Sequence, residues 1–260
     1  MDEGKKAWID KSIIPHIRAS APDIDLDPII AFFEARPEHW EHRTRFLETY
    51  IRAMRHVKPE KSWQIGETGS LSGVSAFFKH DGFRVRDVKG DFRYAIDCPD
   101  STFDLLISLE VFEHIKDQDP KTFDEMVNFN FGGTDAFIGE MWRIIKPGGC
   151  LLLSTPNACS LINLQRLLSY EPPMMFWPHV KEYSPAELIR RFEKRGFALR
   201  HWETLYGLFN LEPPQRAVLL ERLFTARGAS AENRGDIALY LFDRPVEVLP
   251  STGSTPIQAA

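Results

Sequence analysis

The 260-residue chain is 43% apolar and 27% charged, and its 32 basic residues face 37 acidic ones for a formal net charge of −5. That composition fits one large globular domain, with or without an extension, and excludes disordered and collagen-like chains. The acidic balance argues against an electrostatic nucleic-acid binder, and no run approaches the roughly 18 consecutive apolar residues of a membrane span. The opening MDEGKKAWID lacks the apolar core of a signal peptide, and Cys98, Cys150 and Cys159 form no CxxC pair. Together these features predict a reduced, cytoplasmic protein with no membrane partner.

Residues 1–60 read as a helical N-terminal extension or cap. Pro28 opens a helix with Ile29, Ile30, Phe32 and Phe33 facing a core. A second helix places Trp40, Leu47, Ile51 and Met54 at helical spacings. From residue 62 short apolar runs alternate with helical patterns. SWQIG reads as a strand ending in a glycine turn, LSGVSAFFKH as a helix stopping at Asp81-Gly82, and FRVRDV as a strand. FDLLISL is a continuous apolar run, the mark of a parallel strand buried on both faces. AFIGEMWRII is a helix that Lys146-Pro147-Gly148-Gly149 should stop, and CLLLSTP is a second buried strand. Ser184-Pro185-Ala186-Glu187 is a capping box for a helix ending at Gly196. FALRHWETL and IALYLF read as strands, with Pro213-Pro214 and the helical pattern AVLLERLF between them.

This β/α alternation predicts a three-layer α/β sandwich built on a mostly parallel sheet. The expected divisions are 1–60 for the extension, 61–244 for the main domain and 245–260 for a mobile, proline-containing tail.

Four segments carry a resemblance. WQIGETGSLSG, DSTFDLLISLEVFEHI, RIIKPGGCLLLSTPN and HVKEYSPAELIRRFEKRGF occur in that order over residues 62–205. Together they resemble class I S-adenosylmethionine-dependent methyltransferases. The resemblance implies a Rossmann-like sheet, with IALYLF inserting antiparallel near the edge. It also implies S-adenosylmethionine in the glycine turn after the first strand, where Gly66 and Gly69 would let backbone approach the ligand. Two departures stand out. Gln64 replaces the family's usual acid, leaving Glu67 to supply a carboxylate. The segment 83–102 is too short for the family's strand, helix and strand, so it should be an abbreviated connection or a hairpin. Asp87 and Asp91 are both candidates for the acid that holds the ribose, and Asp97 and Asp100 for the adenine edge. Glu110 is a further cofactor contact.

Glu110, Glu113 and His114 stand at i, i+3 and i+4, one face of a helical turn. The same E-x-x-E-H occurs in small-RNA 3′-terminal 2′-O-methyltransferases and in ubiquinone-pathway O-methyltransferases. There it resembles a Mg²⁺ site gripping two neighbouring substrate hydroxyls, completed in the RNA enzymes by a downstream histidine. His179 matches that place. The implied metal ligands are therefore Glu110, Glu113, His114 and His179, for Mg²⁺ or another divalent cation. In the absence of metal, His114 or His179 is the candidate general base.

The reading is methyl transfer to a hydroxyl of a small polyhydroxylated molecule such as a sugar, with no nucleic-acid partner. Two rivals remain. One is a degenerate member of the fold that binds cofactor or a partner without catalysis. The other is a nicotinamide-dependent dehydrogenase, which needs a GxGxxG spacing that Gly66, Gly69 and Gly73 do not keep.

Overall fold

A computed structural model describes residues 18, 19, 21–36, 42–117, 119, 132–205, 222–230 and 232–246. Trp40, Pro213-Pro214, the first part of AVLLERLF and the tail from 247 onward fall outside the described residues; 222–226 are helical.

After the helical residues 18 and 19 come α1 (Asp27–Glu34), with Pro28 in its first turn, and α2 (Arg43–His56). Then follow β1 (Gln64–Thr68), α3 (Gly73–His80), β2 (Arg84–Val88) and β3 (Phe103–Leu109). A short 3₁₀ turn at Phe112–His114 precedes α4 (Gly132–Ile144) and β4 (Ile145–Pro156). The last elements are α5 (Leu161–Leu168), α6 (Pro185–Arg195), β5 (Ala198–Leu205) and β6 (Ile237–Asp243). The six strands lie in the order β2-β1-β3-β4-β6-β5. The first four are parallel, and β6 runs antiparallel to both of its neighbours, as expected for IALYLF.

Strand alternation divides the apolar residues between two cores. Leu105, Ile107, Leu152, Leu239 and Leu241 meet α1, α2 and α3 on one face. Leu106, Leu151, Leu153, Tyr240 and Phe242 meet α4 and α6 on the other. Both faces being covered explains why β3, β4 and β6 read as unbroken apolar runs. Each large side chain so buried contributes about 1.5–3 kcal/mol. The two N-terminal helices share one core with α3, packing Phe32, Phe33, Leu47 and Tyr50 against it.

Two expectations need correction. Helix α4 does stop just ahead of KPGG, at Ile144, but β4 starts at once, so the four residues open a strand that was expected to begin only at Cys150. Gly148 takes a φ of +81°, and its N–H donates to the Arg244 carbonyl at 2.7 Å. The hairpin alternative for 83–102 is not formed either. After β2 the chain crosses to β3 without a helix, burying Phe92, Ile96 and Cys98 in the second core. Helix α4 satisfies the backbone of this irregular crossover. Glu140 accepts from the Ile96 N–H at 2.7 Å, while Arg143 donates to the Ile96 and Cys98 carbonyls at 2.9 and 2.7 Å. Two side chains thus take over the hydrogen bonding that a helix would have supplied internally.

The N-cap half of the expected box is formed, since the Ser184 hydroxyl accepts from the Glu187 N–H, while the Glu187 carboxylate pairs with Lys181; Gly196 closes α6 at a φ of +110°. No helix among the described residues is long and apolar enough to cross a membrane.

Candidate active site

The carboxyl ends of β1 and β3 open onto a cavity of about 540 Å³, lined by Arg45, Gly69, Ser72, Phe92, Glu110 and His114 among others. Ligands of open α/β sheets bind at this edge.

On the β1 side the strand continues past Gly66 to Thr68, so the turn is made at Gly69. Gly69 has a φ of +92°, and a Cβ there would lie 2.8 Å from Val111 Cγ2. Gly66 is buried, and its missing Cβ makes room for the Phe103 ring, 2.8 Å from where that atom would stand. Glu67 is buried at the strand end and accepts the Ser72 N–H at 2.8 Å. Ser72 caps α3, so this carboxyl ties β1 to the helix that follows. Burial pushes its pKa up to about 7, against hydrogen bonds from Ser75 and Ser72 that pull it down.

Asp87 sits beside Glu67 across the β1–β2 ladder. Lys89 pairs with its Oδ2 at 3.0 Å, while Oδ1 is buried without a hydrogen-bond partner. Asp91 is engaged differently. Arg93 donates to both of its oxygens, at 3.0 and 2.8 Å for the shorter contacts, and holds its pKa below the usual range. Asp100 pairs with Arg143 at 2.6 Å, and Asp97 is exposed.

On the β3 side, Glu110 takes a φ of +56° and a 3₁₀ turn follows in place of an α-helix. The side-chain cluster forms nonetheless. Glu113, His114 and His179 each offer a donor atom within 4.8 Å of the other two. Glu113 Oε1 stands 3.8 Å from His114 Nε2 and 3.9 Å from His179 Nε2. Its side chain is 0% exposed, and Oε1 has no hydrogen-bond partner, while Oε2 accepts from the Thr155 hydroxyl at 3.0 Å. Burial, and then the nearby Glu110, push the Glu113 pKa well above the ordinary value. Glu110 lies outside the trio. Ser154 donates to its Oε1 at 2.6 Å, and Arg45 from α2 stands 3.4 Å from Oε2. Burial raises its pKa too, against the pull of Arg45.

His114 is 42% exposed at its side chain, and burial followed by the neighbouring His179 lowers its pKa. His179 is 8% exposed, with Nδ1 2.7 Å from Glu182 Oε1. That oxygen also accepts from the Met175 N–H at 2.6 Å, and Asn163 donates to Oε2 at 2.7 Å. A carboxylate so placed orients the imidazole through Nδ1 and turns Nε2 toward Glu113.

Glu182 and Arg45 were not singled out from the sequence. Glu182 lies three residues after His179, and that spacing was its signal. Arg45 is one turn before the buried Thr49, a cation on the packed stripe of a helix. Asn157 is structural: its amide donates to the Gly235 carbonyl at 2.9 Å, and its Oδ1 accepts the Cys159 N–H at 2.9 Å. In the segment MMFWPH that ends at His179, Met175 is buried while Phe176 and Trp177 are exposed.

A family profile described as Methyltransferase domain matches residues 30–201. A Mycolicibacterium smegmatis protein carrying the name "Probable S-adenosylmethionine-dependent methyltransferase" is 27% identical over 131 residues. That alignment covers 49% of this chain and 41% of the relative, so the chain spans about two fifths of that protein's length. Among solved structures, phosphoethanolamine N-methyltransferase 2 of Haemonchus contortus, seen with S-adenosyl-L-methionine, superposes with a TM-score of 0.50 at 13% identity. It covers 76% of this chain and 52% of that one, and the likeness is one of fold. The methyltransferase bound to the Haloferax volcanii Trm112 activator gives a TM-score of 0.49 at 15% identity, over 85% and 96% of the two chains. With a family match over well more than half its residues and a sheet in which, among the described residues, β6 alone runs antiparallel, the chain belongs to the class I S-adenosylmethionine-dependent methyltransferase family.

Proposed function

We propose that this chain transfers a methyl group from S-adenosylmethionine to a hydroxyl oxygen of a small polyhydroxylated acceptor, such as a sugar with neighbouring hydroxyls. The single observation that carries the reading is the unpartnered, fully buried Glu113 Oε1 facing two imidazole nitrogens beside the cavity. A buried carboxylate oxygen left without a donor costs about 1–3 kcal/mol, a cost that a site recovers when a ligand completes it.

The donor set suits a divalent cation: one hard oxygen and two imidazoles admit Mn²⁺, Fe²⁺ or Zn²⁺, and Mg²⁺ with more water. Glu113, His114 and His179 would hold it, and it would supply Lewis acidity that lowers the pKa of a bound hydroxyl. Glu182 fixes the His179 ring so that Nε2 is the ligating atom. Glu110, pinned by Ser154 and Arg45, lines the cavity between this trio and the turn at Gly69.

S-adenosylmethionine supplies a methyl group already activated by its sulfonium, so the chain's own work is to bind, orient and deprotonate. Gly69 leaves the space in which backbone meets the methionine portion. Asp87 is the better of the two ribose candidates, because its Oδ1 is unspent whereas Arg93 occupies Asp91. The acceptor oxygen loses its proton, attacks the methyl carbon, and the electron pair of the carbon–sulfur bond stays on sulfur.

A metal-free variant has one observation in its favour. His114 lines the cavity, and its lowered pKa keeps it unprotonated near neutrality, fit to take the hydroxyl proton itself. One experiment separates the readings. Calorimetry with S-adenosylhomocysteine should show binding without added metal. Methyl transfer should then be assayed on sugars and their monodeoxy analogues, with Mn²⁺ or with chelator. Activity on diols that chelator abolishes supports the trio as a metal site; undiminished activity in chelator leaves His114 as the base. Absence of both binding and transfer would return the chain to the non-catalytic alternative.

A further inference from the structure

A second histidine cluster lies away from the cavity, at the seam between α2 and the edge strand β5. His201 and Glu203 are two apart on β5 and so share a face, while Trp202 between them points to the second core. His56, the last residue of α2, meets them there. Glu203 Oε1 stands 3.6 Å from His56 Nε2 and 3.3 Å from His201 Nε2, and a donor atom of each residue lies within 4.8 Å of the other two. None of the three lines the candidate active site.

We propose that His56, His201 and Glu203 form a binding site for a borderline transition dication, Zn²⁺ foremost, which staples α2 to β5. Four ligands at about 2.0–2.1 Å around zinc leave neighbouring donor atoms about 3.3 Å apart, near the two separations seen here. The two imidazole rings stack with centroids 4.2 Å apart and planes 19° from parallel. For both in-plane lone pairs to reach one ion, the rings must turn about their Cβ–Cγ bonds. The side chains are 26% and 39% exposed, which leaves room for that rotation and an open position for water.

The surrounding charges select the kind of metal. Arg52 stands 2.9 Å from Glu203 Oε2, a cation paired with the one carboxylate of the trio, and Arg55 adds a further cation near His56. A hard ion such as Mg²⁺ or Ca²⁺ gains little at such a site, because it depends on net negative oxygen donors. Zn²⁺, Cu²⁺ and Ni²⁺ bind imidazole nitrogen strongly enough to accept it. Arg52 in turn orients the carboxylate and leaves Oε1 aimed at the imidazoles, the part that an outer partner plays in metal sites.

The consequence is mechanical. Helix α2 also carries Arg45, eleven residues and about 16 Å back along the same helix, where it faces Glu110 in the cavity. Fixing the far end of α2 to β5 would hold that wall of the cavity against the sheet.

The test is equilibrium dialysis of the full chain against Zn²⁺, with the wild type, His201→Ala, Glu203→Gln and His114→Ala compared. His114→Ala removes any contribution from the cavity cluster and must keep the equivalent assigned to the seam. His201→Ala should lose that equivalent, and Glu203→Gln should weaken it about tenfold. In the His114→Ala background, saturating Zn²⁺ should raise the Tm by about 5 °C, and adding His201→Ala should abolish that rise. Unchanged S-adenosylhomocysteine binding in His201→Ala shows that the variant is folded. Equal zinc binding by the wild type and both seam variants overturns the proposal, as does loss of every equivalent in His114→Ala. Replacement by Mg²⁺ at equal affinity would overturn the assignment of metal class.

Discussion

Glu67 and Glu113 are both buried carboxyls at the carboxyl edge of the same sheet, one at the end of β1 and one just past β3. Burial raises the pKa of each. What separates them is what else they touch. Glu67 accepts the Ser72 N–H and ties the strand to the cap of α3. Glu113 spends one oxygen on Thr155 and leaves the other facing two imidazoles with no donor of its own. The same burial therefore yields a structural joint in one place and an incomplete site in the other. The difference lies in the partners, which neither residue's burial nor its pKa direction discloses.

The sharpest way to break that comparison is to neutralise both carboxyls. Glu113→Gln keeps the shape but removes the charge, and methyl transfer should fall about 10³-fold, within the range expected for loss of a group acting on the reacting proton. S-adenosylhomocysteine affinity should stay within about twofold, because the residue is assigned to the acceptor side. Glu67→Gln can still accept the Ser72 N–H and should leave kcat within about twofold. Equal losses in the two variants, measured in the same assay, would remove the distinction between joint and site.

The next effect concerns the donor side alone. Asp87→Asn removes a charge-assisted pair of hydrogen bonds and should weaken cofactor by roughly 1.5–3 kcal/mol. Asp91→Asn loses only an exposed pair with Arg93 and should change affinity by less than about 0.5 kcal/mol. Titration calorimetry on both variants decides the matter, and a reversed order would move the ribose contact to the crossover segment.

Gly69→Val is expected to act less strongly. A side chain at a φ of +92° is strained, and its Cβ would meet Val111 at 2.8 Å. S-adenosylhomocysteine binding should weaken about tenfold, some 1.4 kcal/mol, in a variant whose unfolding remains cooperative. Retained affinity would place the cofactor away from this turn.

These contrasts also mark how far the sequence could be read. The strands FDLLISL and IALYLF were legible because both of their faces are covered, which leaves an unbroken apolar run. The capped helix after Ser184 was legible because caps are local chemistry. The crossover from β2 to β3 was not, because its backbone is satisfied by Glu140 and Arg143 from a helix more than forty residues on. The E-x-x-E-H spacing put Glu113 and His114 together even though the turn is 3₁₀, since a tighter turn still brings neighbours at i and i+1 to one loop. It could not show that Glu110 is drawn aside by Ser154 and Arg45, because those partners come from β4 and α2. Likewise Asp87 and Asp91 look alike in sequence, each with a cation two residues on; Arg93 takes both oxygens of Asp91, whereas Lys89 takes one of Asp87 and leaves Oδ1 buried without a partner.

The smallest effect, per unit of pH, belongs to Glu67 and tests whether it is a joint. Its pKa rises from an ordinary 4.5 to about 7 in the fold. A group whose folded pKa is the higher stabilises the fold in its protonated form. That contribution is complete below the unfolded pKa near 4.5 and is lost as pH rises through about 7. The slope between those limits is at most about 1.4 kcal/mol per pH unit, the value for one proton. Glu110 and Glu113 have raised pKa values as well and add slopes of the same sign, so the wild-type curve alone assigns nothing. The difference between curves does. Glu67→Gln imitates the protonated form at every pH, and its stability in urea between pH 5 and 7 should fall less steeply than the wild type's by about one proton. Above pH 7 the variant should be the more stable of the two. Parallel curves for wild type and Glu67→Gln would mean that Glu67 stays ionised where it is buried. The Ser72 N–H and its neighbours would then hold a charge as fully as Glu113 awaits one.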